Sequence, residues 1–118
     1  RRKVAEYYNN ALSEIKQLIV PVISEYSTHV FHQYTLKTKK TNREDLIEFL
    51  NEKGIPAMIY YPVPLHQQKA YVRPEFKDED YPITMELCKS VISLPIHTEM
   101  DESQLKYITE SIKEFFNK

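Results

Sequence analysis

The sequence predicts a small two-layer sandwich of the α/β or α+β kind, a sheet of about three strands with helices packed on it. Three observations lead there. Apolar residues recur at helical spacing in separate stretches of the 118-residue chain. Short runs rich in β-branched and aromatic residues alternate with those stretches. A composition of 42% hydrophobic and 12% aromatic residues supplies one ordinary core.

The elements follow in order. Val4, Tyr8, Ala11, Ile15 and Leu18 share one helix face, which predicts a leading helix over residues 1–20 that stops at Pro21 because proline cannot continue the hydrogen-bond ladder. The pattern is already running at Arg1, without a methionine or a cap, so the chain reads as a piece of something longer. A trimmed small protein is the alternative. After a polar linker, Val30 to Leu36 reads as a strand that opens the α/β core of residues 30–118. Thr41 and Glu44 are spaced as a capping box, and the stripe Leu46, Ile47, Phe49, Leu50 predicts a helix over 42–53. Gly54 is suited to the left-handed residue past its end. Ala57 to Tyr61 reads as a second strand closed off by Pro62 and Pro64. Pro62 to Pro82 is then a long surface loop with room for one helical turn. Ile83 to Val91 offers a short helix with Leu87, Cys88 and Val91 on one side, and Ile92 to Leu94 a third strand ending at Pro95. Asp101 with Gln104 caps a last helix whose Leu105, Ile108, Ile112 and Phe115 share a face.

Charge and composition narrow the function. With 16 basic and 17 acidic residues interspersed and a formal charge of −1, nothing favours a nucleic acid or an anionic membrane as partner. No apolar run is long enough to cross a bilayer. A single cysteine excludes an internal disulfide, and a reducing cytoplasm fits best. One glycine, Gly54, is too few for a phosphate-cradling loop. His29 and His32 would point to opposite faces of a strand, so no metal site is expected and the histidines read as polar and packing groups. Cys88 reads as a buried structural cysteine rather than a nucleophile.

What remains is Tyr60-Tyr61-Pro62-Val63-Pro64-Leu65-His66-Gln67-Gln68, in which two phenols, an imidazole and two amides sit on a proline-stiffened loop directly after a strand. Such stiffness reduces the freedom lost on holding a ligand. Two readings stand: a binding surface, or tyrosines that cover the core edge while prolines terminate the strand.

This loop resembles the C-terminal part of the DegT/DnrJ/EryC1/StrS family of sugar aminotransferases. The family pattern is approximately Gly-Ile-Pro, a few residues, then His-Tyr-Pro-x-Pro-Leu-His, a glutamine, and Ala-Tyr. Here it is met by Gly54-Ile55-Pro56, Tyr60-Tyr61-Pro62-Val63-Pro64-Leu65-His66, Gln68 and Ala70-Tyr71. Val30-Phe31-His32-Gln33-Tyr34-Thr35, Arg43, Leu46 and Ser93-Leu94-Pro95-Ile96-His97 fall in register with it. Tyr60 stands where the family usually has histidine, and Lys69 where it often has proline.

The resemblance implies that residues 1–118 are the C-terminal small domain of a fold-type-I enzyme. Its missing N-terminal large domain would hold pyridoxal phosphate on a lysine, and the intact protein would be a homodimer. The implied reaction moves an amino group from an amino acid, typically glutamate, to a nucleotide-linked keto-sugar, with the cofactor as electron sink. Substrate contact is carried over to Tyr60, Tyr61 and His66. No catalytic, cofactor-binding or metal-binding residue is expected within this chain, which would not act alone. A free-standing regulatory or ligand-sensing module, and a structural or oligomerisation domain, are the rival readings.

Overall fold

A computed structural model describes residues 1–118. Its elements are helix α1 (Arg2–Leu12), strands β1 (Leu18–Ile19) and β2 (Tyr34–Thr38), helix α2 (Arg43–Glu52), helix α3 (Pro82–Ser90), strand β3 (Val91–Leu94) and helix α4 (Glu102–Phe116). The strands form one antiparallel sheet in the order β1-β2-β3, which resolves the fold as α+β.

The sheet register explains how the core forms. Tyr34 lies opposite Leu94 and Leu36 opposite Ile92, and all four are buried on one face, because alternate residues of a strand share a side. Val4, Ala5, Tyr8 and Leu12 of α1, Leu46 and Leu50 of α2, and Leu105, Ile108 and Ile112 of α4 join them in one core cluster. The residues between, Thr35 and Ser93, face the other way and bond through their hydroxyls at 2.8 Å.

Two helix ends were legible as spacing. In α4, Asp101 accepts the Gln104 N–H at 2.8 Å while the Gln104 side chain accepts the Asp101 N–H at 3.1 Å. At α2 the cap is Asn42, one residue later than Thr41, and its side chain accepts the Glu44 N–H at 3.1 Å. Gly54 follows with φ +71°, the left-handed conformation that glycine takes at little cost.

Other expectations are corrected. The leading helix does not reach residue 20: it ends at Leu12. Turns Ile15 N–H to Leu12 O (3.1 Å) and Leu18 N–H to Ile15 O (3.0 Å) then deliver Leu18–Ile19 to the sheet. β-Branched Ile19 and Val20 ahead of Pro21 favour extended backbone. The strand expected over 30–36 runs instead from Tyr34 to Thr38. Phe31 sits at φ 49° with its N–H donated to His29 Nδ1 at 2.8 Å, a local turn that competes with the ladder.

Ala57 to Tyr61 contributes only one bridge, Met58 to Ser93, because prolines on both sides cannot donate to a longer ladder. Along α3 no residue is buried. The helix lies beside β2 with Thr38 Oγ1 donating to Ser90 O at 3.1 Å, and no further layer covers its outer side. Leu87 is therefore exposed and Cys88 only half-buried, against the expectation of a buried cysteine. No helix is long and apolar enough to cross a membrane.

Arg43, 8% exposed in its side chain, ties the layers together. Its Nη1 donates to Cys88 O at 2.7 Å and to Val91 O at 3.2 Å, and its Nε and Nη2 to Glu44 Oε1. The start of α2 thus holds the junction of α3 and β3.

Candidate functional site

Residues 59–81 form the loop, pinned where it begins by the Met58–Ser93 bridge and where it ends by α3, whose first residue is Pro82. Pro82 suits that place, since a first-turn residue needs no N–H partner and its φ is preset. Within the loop, short 3₁₀ turns at Leu65–Gln67 and Asp78–Asp80 face each other. Asp78 Oδ1 joins them, accepting from His66 Nε2 and Gln67 Nε2, both at 2.7 Å. The Gln67 amide, and after it His66, hold the Asp78 carboxyl below the usual carboxylate range. A carboxylate can only accept, so Nε2 carries the His66 proton and Nδ1 is left with a lone pair in the neutral ring. The His66 ring also lies 4.7 Å from that of Tyr81.

Two clefts flank this loop. One, of roughly 300 Å³, lies at the end of β3, where Tyr60 meets His32, Gln33, Met58 and Ser93. The other, of roughly 290 Å³, lies between the loop and the start of α3, among His66, Tyr71, Arg73, Phe76, Tyr81 and Thr84. The structure brings Tyr60 and Tyr61 together, their rings edge to face at 5.6 Å, and leaves both exposed, Tyr61 at 69%. It places His66 elsewhere, in the second cleft, with its side chain 9% exposed and one nitrogen engaged by Asp78.

Asp78, Arg73 and Tyr81 were missed by sequence reasoning. From sequence, the segment Pro62 to Pro82 that holds them reads only as a long surface loop with room for one helical turn. The available sign was the recurrence of Tyr71, Phe76 and Tyr81 inside a proline-bounded loop, which is more aromatic surface than a plain connection needs.

The remaining histidines disperse. His29 turns back on Phe31, and His97 Nδ1 accepts the Glu99 N–H at 3.2 Å. A pyridoxal phosphate site needs a lysine amine, an anion cradle and a carboxylate for the ring nitrogen. Neither flanking cleft is lined by a lysine. Lys53, which is partly buried, donates to Glu114 at 2.8 Å and is held protonated by it. These residues do not fit that cofactor.

Comparison with known proteins gives a consistent answer. The pattern of the DegT/DnrJ/EryC1/StrS aminotransferase family matches residues 1–113. The chain is 40% identical to a "pleiotropic regulatory protein" of Geobacillus stearothermophilus, over 98% of this chain and 31% of that one. It is 32% identical to a dTDP-3-amino-3,6-dideoxy-α-D-galactopyranose transaminase of Aneurinibacillus thermoaerophilus, over 98% and 30%. The crystal structure of DesV from S. venezuelae in complex with a ketimine intermediate superposes with a TM-score of 0.92 at 25% identity, covering 99% of this chain and 31% of that one. The chain thus spans about 30% of the length of the curated relatives it matches.

Proposed function

The chain belongs to the DegT/DnrJ/EryC1/StrS aminotransferase family, and from that premise we propose that it is the small domain of a pyridoxal-phosphate-dependent enzyme that aminates a nucleotide-linked keto-sugar. Glutamate is the amino donor of this proposal. The cofactor, its lysine and its phosphate contacts belong to a large domain elsewhere in a longer cytoplasmic protein, and two such proteins pair as a homodimer. In this reading the present chain contributes substrate-cleft residues and has no activity alone.

The observation that carries the reading is the exposed pair Tyr60 and Tyr61, held on a loop with Pro62 and Pro64, with Tyr60 lining a cleft at the sheet end. Their hydroxyls can donate to sugar or phosphate oxygens. His66 reaches substrate only from the neighbouring cleft, so its contribution is to a different part of the same ligand. Exposed Val22, Ile23 and Tyr26, the last 93% exposed, offer apolar surface for the rest of the assembly.

A test separates the half-reactions in the full-length protein. Tyr61→Phe should lower catalytic efficiency toward the sugar about tenfold or more, because a hydrogen bond to a charged group is worth roughly 1.5–3 kcal/mol. The amino-donor half-reaction should stay nearly intact. Equal damage to both would assign the loop to folding or assembly.

The name of the Geobacillus relative favours a second reading, a regulatory module that senses a ligand through the same clefts. Turnover of a keto-sugar nucleotide by the full-length protein decides between them.

A further inference from the structure

We propose that Asp78 is the catch of a latch: with His66 and Gln67 it closes residues 65–78 into a strap that opens and shuts as a unit while the core stays folded, and the cleft beside it exists only in the shut state. The inference concerns the motion of this loop and holds whatever ligand the cleft takes.

The strap has little else to hold it. No residue from 65 to 90 is buried, so the apolar burial that fixes α1, α2 and α4 contributes little here. Its backbone bonds are local turns, Gln67 N–H to Pro64 O at 3.0 Å, Tyr71 N–H to Gln68 O at 2.8 Å and Phe76 N–H to Arg73 O at 3.1 Å among them. Such turns shape the chain without fastening it to anything. The bonds that reach further all start at His66 and Gln67. Each donates to Asp78 Oδ1 at 2.7 Å, and Gln67 adds a weak contact to Met85 Sδ at 3.7 Å.

The catch is strong enough to close the strap and weak enough to release it. A carboxylate acceptor makes both bonds to Asp78 charge-assisted. Its side chain is nevertheless 57% exposed, so water replaces His66 and Gln67 at modest cost when the strap opens. The ends are anchored independently of the catch. On one side Pro64 is buried and Met58 is bridged to Ser93. On the other, Arg43 donates to Cys88 O at 2.7 Å at the far end of α3. Releasing Asp78 therefore frees a segment between fixed ends, which is how a unit of low stability sits within a stable domain.

The cleft depends on the catch because its walls come from both sides of it. His66 stands at one end, Tyr71, Arg73 and Phe76 lie along the strap, and Tyr81 and Thr84 follow Asp78. Parting His66 from Asp78 separates those walls. A ligand held between them shuts the strap by mass action.

Hydrogen exchange read by mass spectrometry tests this on the full-length protein, unaltered and as Asp78→Ala or Asp78→Asn. In the unaltered protein the bonded amides of Gln67, Gln68, Tyr71, Val72 and Phe76 should exchange faster than those of α2 and α4. Asp78→Ala should speed them about tenfold, the ratio that one released charge-assisted bond supports, and leave α2 and α4 unchanged. Asp78→Asn keeps an acceptor oxygen without the charge and should fall between; it gives the same comparison should the alanine variant not fold. Tryptic cleavage after Lys69 and Lys77 should rise in the same order, since the protease samples the open form. Unchanged exchange of the strap in the variants, or equal acceleration in α2 and α4, would overturn the latch.

Discussion

Tyr8 and Tyr34 show how much one residue type can do when it is buried with a partner. Tyr8 Oη donates to Pro95 O and Tyr34 Oη to Asn9 Oδ1, each at 2.7 Å, and the rings lie 4.8 Å apart. Burial, with the neighbouring Tyr34 adding for Tyr8, pushes both phenols well above the ordinary value of 10.0. A neutral group whose folded pKa is raised contributes stability that is whole below the unfolded value and is lost as pH climbs past it. Stability should accordingly decline from about pH 10 upward, and in a Tyr8→Phe/Tyr34→Phe double variant that decline should be shallower. Denaturant midpoints across pH 8 to 11 give the comparison, and an equal slope in both proteins would refute it. These tyrosines were readable as helix and strand apolar positions, but their mutual packing was not, since no spacing rule links α1 to β2. The same limit hid Asp78 from His66: they are twelve residues apart, and only the facing 3₁₀ turns bring them to 2.7 Å.

Among the elements, α2 and α4 were the most legible because both carry periodicity and caps together. Leu50 is fully buried and Ile108 6% exposed, so alanine at either should cost about 2–5 kcal/mol. Cys88→Ser should cost far less, the side chain being half-buried on a helix with no buried residue. Urea melts of the three variants test this, and a Cys88→Ser loss matching the other two would show that α3 is packed more tightly than described. The misread elements share one cause. Ile15 and Leu18 prolong the spacing of α1, and Leu18 is indeed buried, yet a short apolar run cannot by itself distinguish a helix turn from a strand. Burial was therefore foreseen at Leu18 and backbone was not. The opposite happened at Val30, where β-branched composition suggested a strand while the residue is 69% exposed in the turn that Phe31 enforces.

At the scale of the whole molecule, the fold class and the proline loop were readable because each rests on local chemistry, whereas the two separate clefts depend on how the loop folds back on itself. The chain also carries a core of its own. Its seventeen-residue buried cluster is continuous across α1, α2, α4 and the sheet, so the 118-residue chain should fold cooperatively by itself. A lysine that forms an imine efficiently at neutral pH needs its proton affinity lowered by desolvation or by neighbouring cations. Here every lysine is exposed except Lys37 and Lys53, which are half-buried, and Lys53 is displaced the wrong way by Glu114. The one glycine builds no anion cradle, lying alone past α2. Mixed with pyridoxal phosphate and then reduced with borohydride, the isolated chain should show label scattered over several exposed lysines and rising linearly with cofactor concentration. Saturable labelling of a single lysine, accompanied by transfer from glutamate, would mean that this chain builds a cofactor site of its own, and the division of labour proposed between the two domains would have to be abandoned.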